Sequence, residues 1–186
     1  VVAFAGIIFL SAAVSGYEKS LSFDSLAAAA ESMDHTWLKL SFVFMAMGFG
    51  TKAGLAPVHS WLPDAHSEAP SPVSAMLSAA LLNSAMLALY RVFDVMRAAG
   101  LEGFASGYML LMAVLSLFVA AVYIVRVGNY KRMLAYSSIE NMGILAAAMA
   151  MGKPAIAAFL LHASGHSLAK AAFFLTSGNI LKRYGV

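Results

Sequence analysis

The feature that most constrains this chain is a succession of apolar runs, at residues 1–16, 37–69, 73–93, 105–125, 133–151 and 155–181, separated by short polar connections. A helix needs roughly 20 apolar residues to cross about 30 Å of hydrocarbon, and most of these runs meet or approach that length. Composition agrees: 61% of the residues are hydrophobic and 11% charged, against about half and a quarter in a soluble domain. Nine acidic and twelve basic residues cannot clothe a 186-residue globule in water, which excludes a soluble enzyme, a disordered tail and a nucleic-acid module. The expected fold is therefore all-α, a polytopic transmembrane helix bundle of about six spans. The absence of cysteine excludes a disulfide framework, Cys-ligated zinc, iron–sulfur ligation and thiol catalysis. A net charge of +3 is too small to imply an acidic partner.

The opening VVAFAGIIFL has no initiator Met and no basic flank, so it does not read as a signal peptide, and the chain reads as a piece of a longer membrane protein. Residues 17–35 hold Glu18, Lys19, Asp24, Glu31 and Asp34 around an Ala-rich stretch, the pattern of a surface loop with a short interfacial helix. Residues 94–102 and 126–132 are further polar connections, and 152–154 is a tight one. Charge does not orient the bundle. With alternate connections on one side, Arg126, Lys131, Arg132, Lys182 and Arg183 balance Lys19, Lys39, Arg91, Arg97 and Lys153.

The second run, 37–69, is too long for one plain helix and contains Gly48, Gly50, Gly54, Pro57 and Pro63. Pro57 cannot donate to the carbonyl of Ala53, nor Pro63 to that of His59, so the helix is predicted to break near residues 51–57. Irregular backbone at membrane depth survives where it is buried in protein or lines a wet cavity. A functionless proline kink would leave the same marks, but Lys52 stands at the break, about 15 residues into the span. A charge at the bilayer centre costs about 2.5–3.5 kcal/mol on insertion scales. A half-helix ending near Gly50 would offer it unpaired carbonyls and the negative end of a dipole. Too deep to snorkel, Lys52 is a candidate proton-handling group.

The last run carries His162, His166 and Lys170 at i, i+4 and i+8, which drifts only about 80° around a helix and makes one polar stripe. With no Cys, no Glu in the motif and a lysine that opposes a dication, the pair of histidines is not expected to bind zinc. Helix-packing hydrogen bonds would account for part of the stripe, whereas a proton relay accounts for all three residues. Glu140, about nine residues beyond Lys131 and so roughly 13 Å deep, forms a polar patch with Ser137, Ser138 and Asn141 that should face the bundle interior, within reach of a buried lysine. Asn83 is the one strongly polar side chain in the middle of 73–93, where such a residue usually ties helices together. His59, Asp64, His66 and Glu68 lie toward the mouth of the broken run, where gating an inlet and simple solvation are both open.

Three of these stretches resemble one family. KAGLAPVHSWLPDAHSEAPSPVSAMLS (52–78) looks like the broken seventh helix and the start of the eighth helix of the antiporter-like subunits of respiratory complex I, Mrp antiporters and membrane-bound hydrogenases. NYKRMLAYSSIENMG (129–143) and HASGHSLAKAAFFLTSG (162–178) resemble the tenth- and eleventh-helix motifs of the same superfamily, in the same order. The SSIEN form looks most like the hydrogenase-4 and formate hydrogenlyase type.

The resemblance implies a larger bundle with two inverted repeats, each with a broken helix, and a midplane polar axis. Residues 1–98, with the broken helix 37–69, would end the first repeat, and 99–186 would begin the second. It places residues 126–132 and the C-terminal end on the cytoplasmic side of a bacterial or archaeal plasma membrane. Lys52 matches the broken-helix lysine, and His162, His166 and Lys170 match the eleventh-helix stripe. Asn83 and Ser78 stand where relatives place a lysine and a histidine, so the bridge between half-channels falls to water or Glu140, or else is weakened. The acid that pairs with Lys52 would precede Val1. The implied protein holds no redox cofactor or metal. It moves protons or Na⁺ in response to electron transfer in a peripheral redox arm, among other membrane subunits and lipid. A stand-alone cation/proton antiporter subunit would share these motifs, and a structural anchor is the third reading.

Overall fold

Each apolar run becomes helix, and the connections become caps. The computed structural model describes residues 1–14 and 22–184; Glu18 and Lys19 of the expected surface loop lie outside the described residues. α1 (Val2–Ala13) precedes a short α2 (Phe23–Ala29), which starts where the Ser22 hydroxyl accepts from Ser25 N. α3 (His35–Ala53) starts at Asp34, whose carboxylate accepts from Thr36 N at 2.8 Å and Trp37 N at 3.1 Å, covering two of the four N–H groups that a helix start leaves unpaired.

The second run breaks as expected, slightly downstream. α3 continues through Thr51 and Lys52 to Ala53, and α4 (Trp61–Glu68) resumes after an interruption at 54–60. The ladder lasts this long because the first bond that Pro57 deletes is the one to Ala53. Gly54, at φ +74°, closes the end: Leu55 N donates to Gly50 O at 2.9 Å and Gly54 N to Thr51 O at 3.3 Å. A Cβ on Gly54 would also lie 2.7 Å from Leu62 Cδ2. Pro63 sits in the first turn of α4, where its missing N–H breaks no intrahelical bond.

α5 (Ser71–Met76), a π-helical turn (Leu77–Leu81) and α6 (Leu82–Ala98) run on as one 28-residue helix whose most apolar 18 residues have mean hydropathy 1.6. The most apolar 18 residues of α7 (Glu102–Ile124) have mean hydropathy 2.2, and both helices are long and apolar enough to cross a membrane. α8 (Tyr130–Ala150), N-capped by Asn129, and α9 (Ile156–Tyr184) complete the bundle.

Leu38, Phe42, Leu82, Leu89, Met96, Met109, Ile139 and Leu145 form the centre of the core. Between membrane helices, close packing and interhelical hydrogen bonds hold the elements together, because lipid is as apolar as leucine. α1 lies so close to α3 that a Cβ on Gly48 would sit 2.5 Å from Ala3 N, and Ser41 Oγ donates to Gly6 O at 2.8 Å. Outward, Leu110, Leu111, Val114 and Phe118 of α7 and Leu161 and Leu168 of α9 are exposed, a surface suited to hydrocarbon. The helix ends gather in two layers. The end of α4 meets the start of α8, and Ser71 packs on Gly178 near the end of α9; at the opposite end Glu102 lies against Gly152. This is the alternation expected of successive spans.

Candidate functional site

The polar residues of α9 repeat every four positions and so return to one face, which the fold turns inward against α8, α5 and the π-helical turn. His166 and Lys170 are 4% and 3% exposed, and His162 is half-buried. Lys170 Nζ donates to Leu134 O at 2.8 Å and to Ser137 Oγ, both on α8. Glu140, one turn further along α8, is half-buried and makes no ion pair with Lys170 among the described residues. A cavity of about 610 Å³ runs beside these groups, lined by Ser137, Asn141, His162, His166, Lys170 and Phe173 among others.

Hydroxyls and amides fix the walls. Ser78 Oγ and Ser138 Oγ share a hydrogen bond of 2.9 Å between the π-helical turn and α8. Asn83 Nδ2 donates to Ala163 O at 2.9 Å and to Ser167 Oγ at 2.6 Å, while Ser167 Oγ donates to Ala79 O at 2.6 Å. Asn83 thus ties α6 to α9 at the level of His166. The histidines differ from these groups: His162 Nε2 and both ring nitrogens of His166 are buried without a hydrogen-bond partner.

One member of the interior was misplaced from sequence. His66 was read as a mouth residue, gating or solvated; it is 0% exposed, stacked on Phe174 of α9 with ring centroids 4.7 Å apart and planes at 19°. The available signal was its spacing of four from Leu62, which puts it on the buried face of α4, while Asp64 and Glu68 face outward. Lys131 was read only as a topological charge, yet it is 7% exposed, and its Nζ caps the end of α4 through Ser67 O at 3.1 Å and Ala69 O. Arg132 adds an ion pair to Asp64 at 3.0 Å.

Lys52 stands apart from this group, in the last turn of α3. Its side chain is exposed on the outer face of the described residues, because α3 packs inward through Leu38, Phe42, Met45, Ala46 and Ala53 and directs Lys52 away from them. The carbonyls of Gly50 and Thr51 are taken by the Gly54 cap and by Trp61 Nε1, which reaches Thr51 O at 2.5 Å. His59 is half-buried in the interruption, and its Nδ1 has no partner. The structure therefore brings His162, His166 and Lys170 to one cavity, keeps Glu140 on the neighbouring α8 and Asn83 in the α6–α9 tie, and leaves Lys52 and His59 at the break. Among the described residues, no three His, Asp or Glu side chains converge as metal ligands.

An all-helical bundle with an apolar exterior, a broken span and a buried line of titratable side chains defines a multi-pass integral membrane protein of the antiporter-like type. Comparison with known proteins agrees. The chain belongs to the NADH:quinone oxidoreductase/Mrp antiporter transmembrane family, whose sequence profile matches residues 1–185. It is 42% identical over 164 residues to the hydrogenase-4 component F homolog of Methylacidiphilum infernorum, covering 87% of this chain and 34% of that protein. It is 34% identical over 156 residues to NADH-quinone oxidoreductase subunit N of Desulforudis audaxviator, covering 83% of this chain and 31% of that one. A chain of the membrane-bound sulfane sulfur reductase, an archaeal respiratory membrane complex, superimposes with a TM-score of 0.88 at 26% identity, over 97% of this chain and 36% of that chain. The chain thus spans about a third of the length of these relatives.

Proposed function

We propose that this chain is part of a proton-translocating membrane subunit of an oxidoreductase complex, of hydrogenase or NADH:quinone oxidoreductase kind, and that α8 and α9 carry part of its proton path. The carrying observation is the interior group itself: Lys170, His166 and His162 line one cavity of about 610 Å³, with Glu140 nearby on α8. Lys170 is anchored through Leu134 O and Ser137 Oγ, so its position is fixed whichever neighbour receives its proton. The unpartnered nitrogens of His166 and His162 are free to accept and pass that proton along α9. Asn83 holds α6 against this line, and Ser78 with Ser138 supplies hydroxyls where a titratable bridge is missing.

In this reading Lys52, directed outward, meets an acidic partner from a span beyond this chain, and His59 lies on the route from the break. Residues 1–98 end one inverted repeat and 99–186 begin the next. The other membrane subunits and a peripheral redox arm supply the electron transfer that drives the path, in a bacterial or archaeal plasma membrane.

The test is donor-driven proton uptake by inverted vesicles holding the full complex, with Lys170→Met and Lys52→Met and with Na⁺ varied. Loss of uptake in both variants at normal assembly supports the reading. Full uptake in both would refute it in favour of an anchor, and uptake that requires Na⁺ would favour a cation/proton antiporter.

A further inference from the structure

We infer that Ser116 of α7 is the positioning residue of the broken span: its hydroxyl fixes the interruption at 54–60 and, through it, the direction in which Lys52 and His59 face. The inference rests on the proposed part of the break in the proton path. Ser116 is 0% exposed; its Oγ accepts from Ala56 N at 2.8 Å and donates to Met112 O at 2.7 Å. Ala56 is 1% exposed and lies four residues after Lys52 and three before His59. The Ser116 hydroxyl is bonded to neither titratable side chain, so it acts on them through the backbone of the break.

The chemistry of the contact shows what it does. Where a helix is interrupted inside hydrocarbon, every amide that loses its intrahelical acceptor needs another. Three amides at the break find backbone oxygens: Gly54 N on Thr51 O, Leu55 N on Gly50 O and Val58 N on Leu55 O. Pro57 brings no N–H. Ala56 N is served by a side chain instead, from a helix 60 residues away in sequence. A serine within a helix commonly spends its hydroxyl on its own i−4 carbonyl, as Ser84 does on Ala80 O and Ser164 on Leu160 O. Ser116 does the same with Met112 O, and because a hydroxyl has a single proton, that bond leaves only lone pairs to face Ala56. The oxygen is thus oriented as an acceptor before the break meets it.

Packing removes the slack on both sides of this bond. A Cβ on Gly50 of α3 would lie 2.9 Å from Met112 Cε, and a Cβ on Gly143 of α8 would lie 3.0 Å from Ser116 Cβ and 3.2 Å from Ala113 O. α7 is therefore wedged between the helix that ends at the break and the helix whose Leu134 O and Ser137 Oγ hold Lys170. In an interior packed this closely, Ser116 has no room to move off Ala56. One hydroxyl of α7 sets the break in register with the cavity of α8 and α9.

Ser116→Ala removes the acceptor. Ser116→Thr keeps the hydroxyl, and Ser116→Val has the shape of threonine without it, so Thr against Val separates the hydroxyl from the added methyl. In the purified full complex, the amide of Ala56 should exchange with deuterium roughly tenfold faster in Ser116→Ala and Ser116→Val than in the wild type or Ser116→Thr. In inverted vesicles, donor-driven proton uptake per assembled complex should fall roughly tenfold or more in the same two variants, the scale of a displaced functional group, and return close to the wild-type rate in Ser116→Thr. A packing role alone would lower the amount of complex and leave the rate per complex unchanged. Wild-type uptake in Ser116→Ala overturns the inference, and so does slow uptake with wild-type exchange at Ala56. Should Ser116→Thr and Ser116→Val fail to assemble, Ser116→Ala decides by the same two readings, and failure of all three overturns the inference in favour of packing. Lys52→Met and Lys170→Met in the same vesicles separate the two levels: blocked uptake there with normal uptake in Ser116→Ala removes the positioning role alone, whereas full uptake in both removes the path itself.

Discussion

The clamp that the start of α8 places on α4 yields a prediction with a computable size. α4 spans 8 residues, too few to hold together alone, and its last carbonyls have no intrahelical partner. Lys131 Nζ takes two of them, Ser67 O and Ala69 O, from a site only 7% exposed. Hydrogen bonds to a charged group contribute about 1.5–3 kcal/mol each, and the cost of burying the ammonium returns part of that. The net loss in Lys131→Met is therefore about 2 kcal/mol, or roughly a thirtyfold rise in the opening equilibrium of α4. The Arg132–Asp64 pair spans the same elements at 3.0 Å, but its side chains are 42% and 67% exposed. Screened by solvent, it contributes about 0–0.5 kcal/mol, so Asp64→Asn should change opening about twofold at most. Hydrogen-exchange mass spectrometry of the purified complex reads both: amides of α4 should exchange roughly thirtyfold faster in Lys131→Met, with those of α7 unchanged. Equal, small effects in the two variants would refute the reasoning, because burial would then have no bearing on the strength of the clamp.

Lys170→Arg preserves charge and donors but not the ability to release a proton at physiological pH; the complex should assemble and lose donor-driven uptake, and uptake at the wild-type rate would show that charge alone suffices. Gly54→Ala forces an alanine into the left-handed region at a cost of about 1–2 kcal/mol and drives its Cβ toward Leu62 Cδ2; unfolding by SDS in mixed micelles should shift to lower detergent fraction. Asn83→Leu removes the bonds to Ala163 O and Ser167 Oγ, worth about 0.6 kcal/mol each in a bilayer, but also removes a buried, unpartnered Oδ1. The same unfolding assay should show a loss of about 1 kcal/mol or less; a loss several times larger would mean that the tie does more than join two helices.

The helices were legible because each apolar run is long, and the break because Pro57 deletes a specific hydrogen bond. The inward stripe of α9 was legible because three polar residues at intervals of four can share only one face. Depth alone left the direction of Lys52 open: depth along a span says nothing about direction around it, and the apolar residues of α3 turn it outward. His66 was lost among the polar neighbours Asp64, Ser67 and Glu68, since an eight-residue helix shows too little periodicity to separate its faces by eye. The π-helical turn at Leu77–Leu81 has no glycine or proline to announce it; it is visible only in the contacts that Ser78 and Ala79 make to α8 and α9.

That turn clarifies why the polar interior lies where it does. A regular helix consumes its own carbonyls, so a membrane interior built of regular helices offers little to a polar side chain. Here irregular or terminal backbone supplies them in three places: the cap at Gly54 takes Trp61, the end of α4 takes Lys131, and the π-helical turn takes Ser167. Each is an oxygen that hydrocarbon could not satisfy and that a side chain from another helix does. The sites that tolerate irregular backbone are thus ones that draw tryptophan, lysine and serine inward, whereas Lys170 takes the carbonyl of Leu134 within regular α8. Straightening one of them should empty its partner: an insertion or deletion that restores regular α-helix across 77–81 would rotate Ser78 off Ser138 and leave Ser167 without Ala79 O. The expected result is lower donor-driven uptake with α6 and α9 intact by hydrogen exchange, and unchanged uptake would separate the proton path from the irregular backbone.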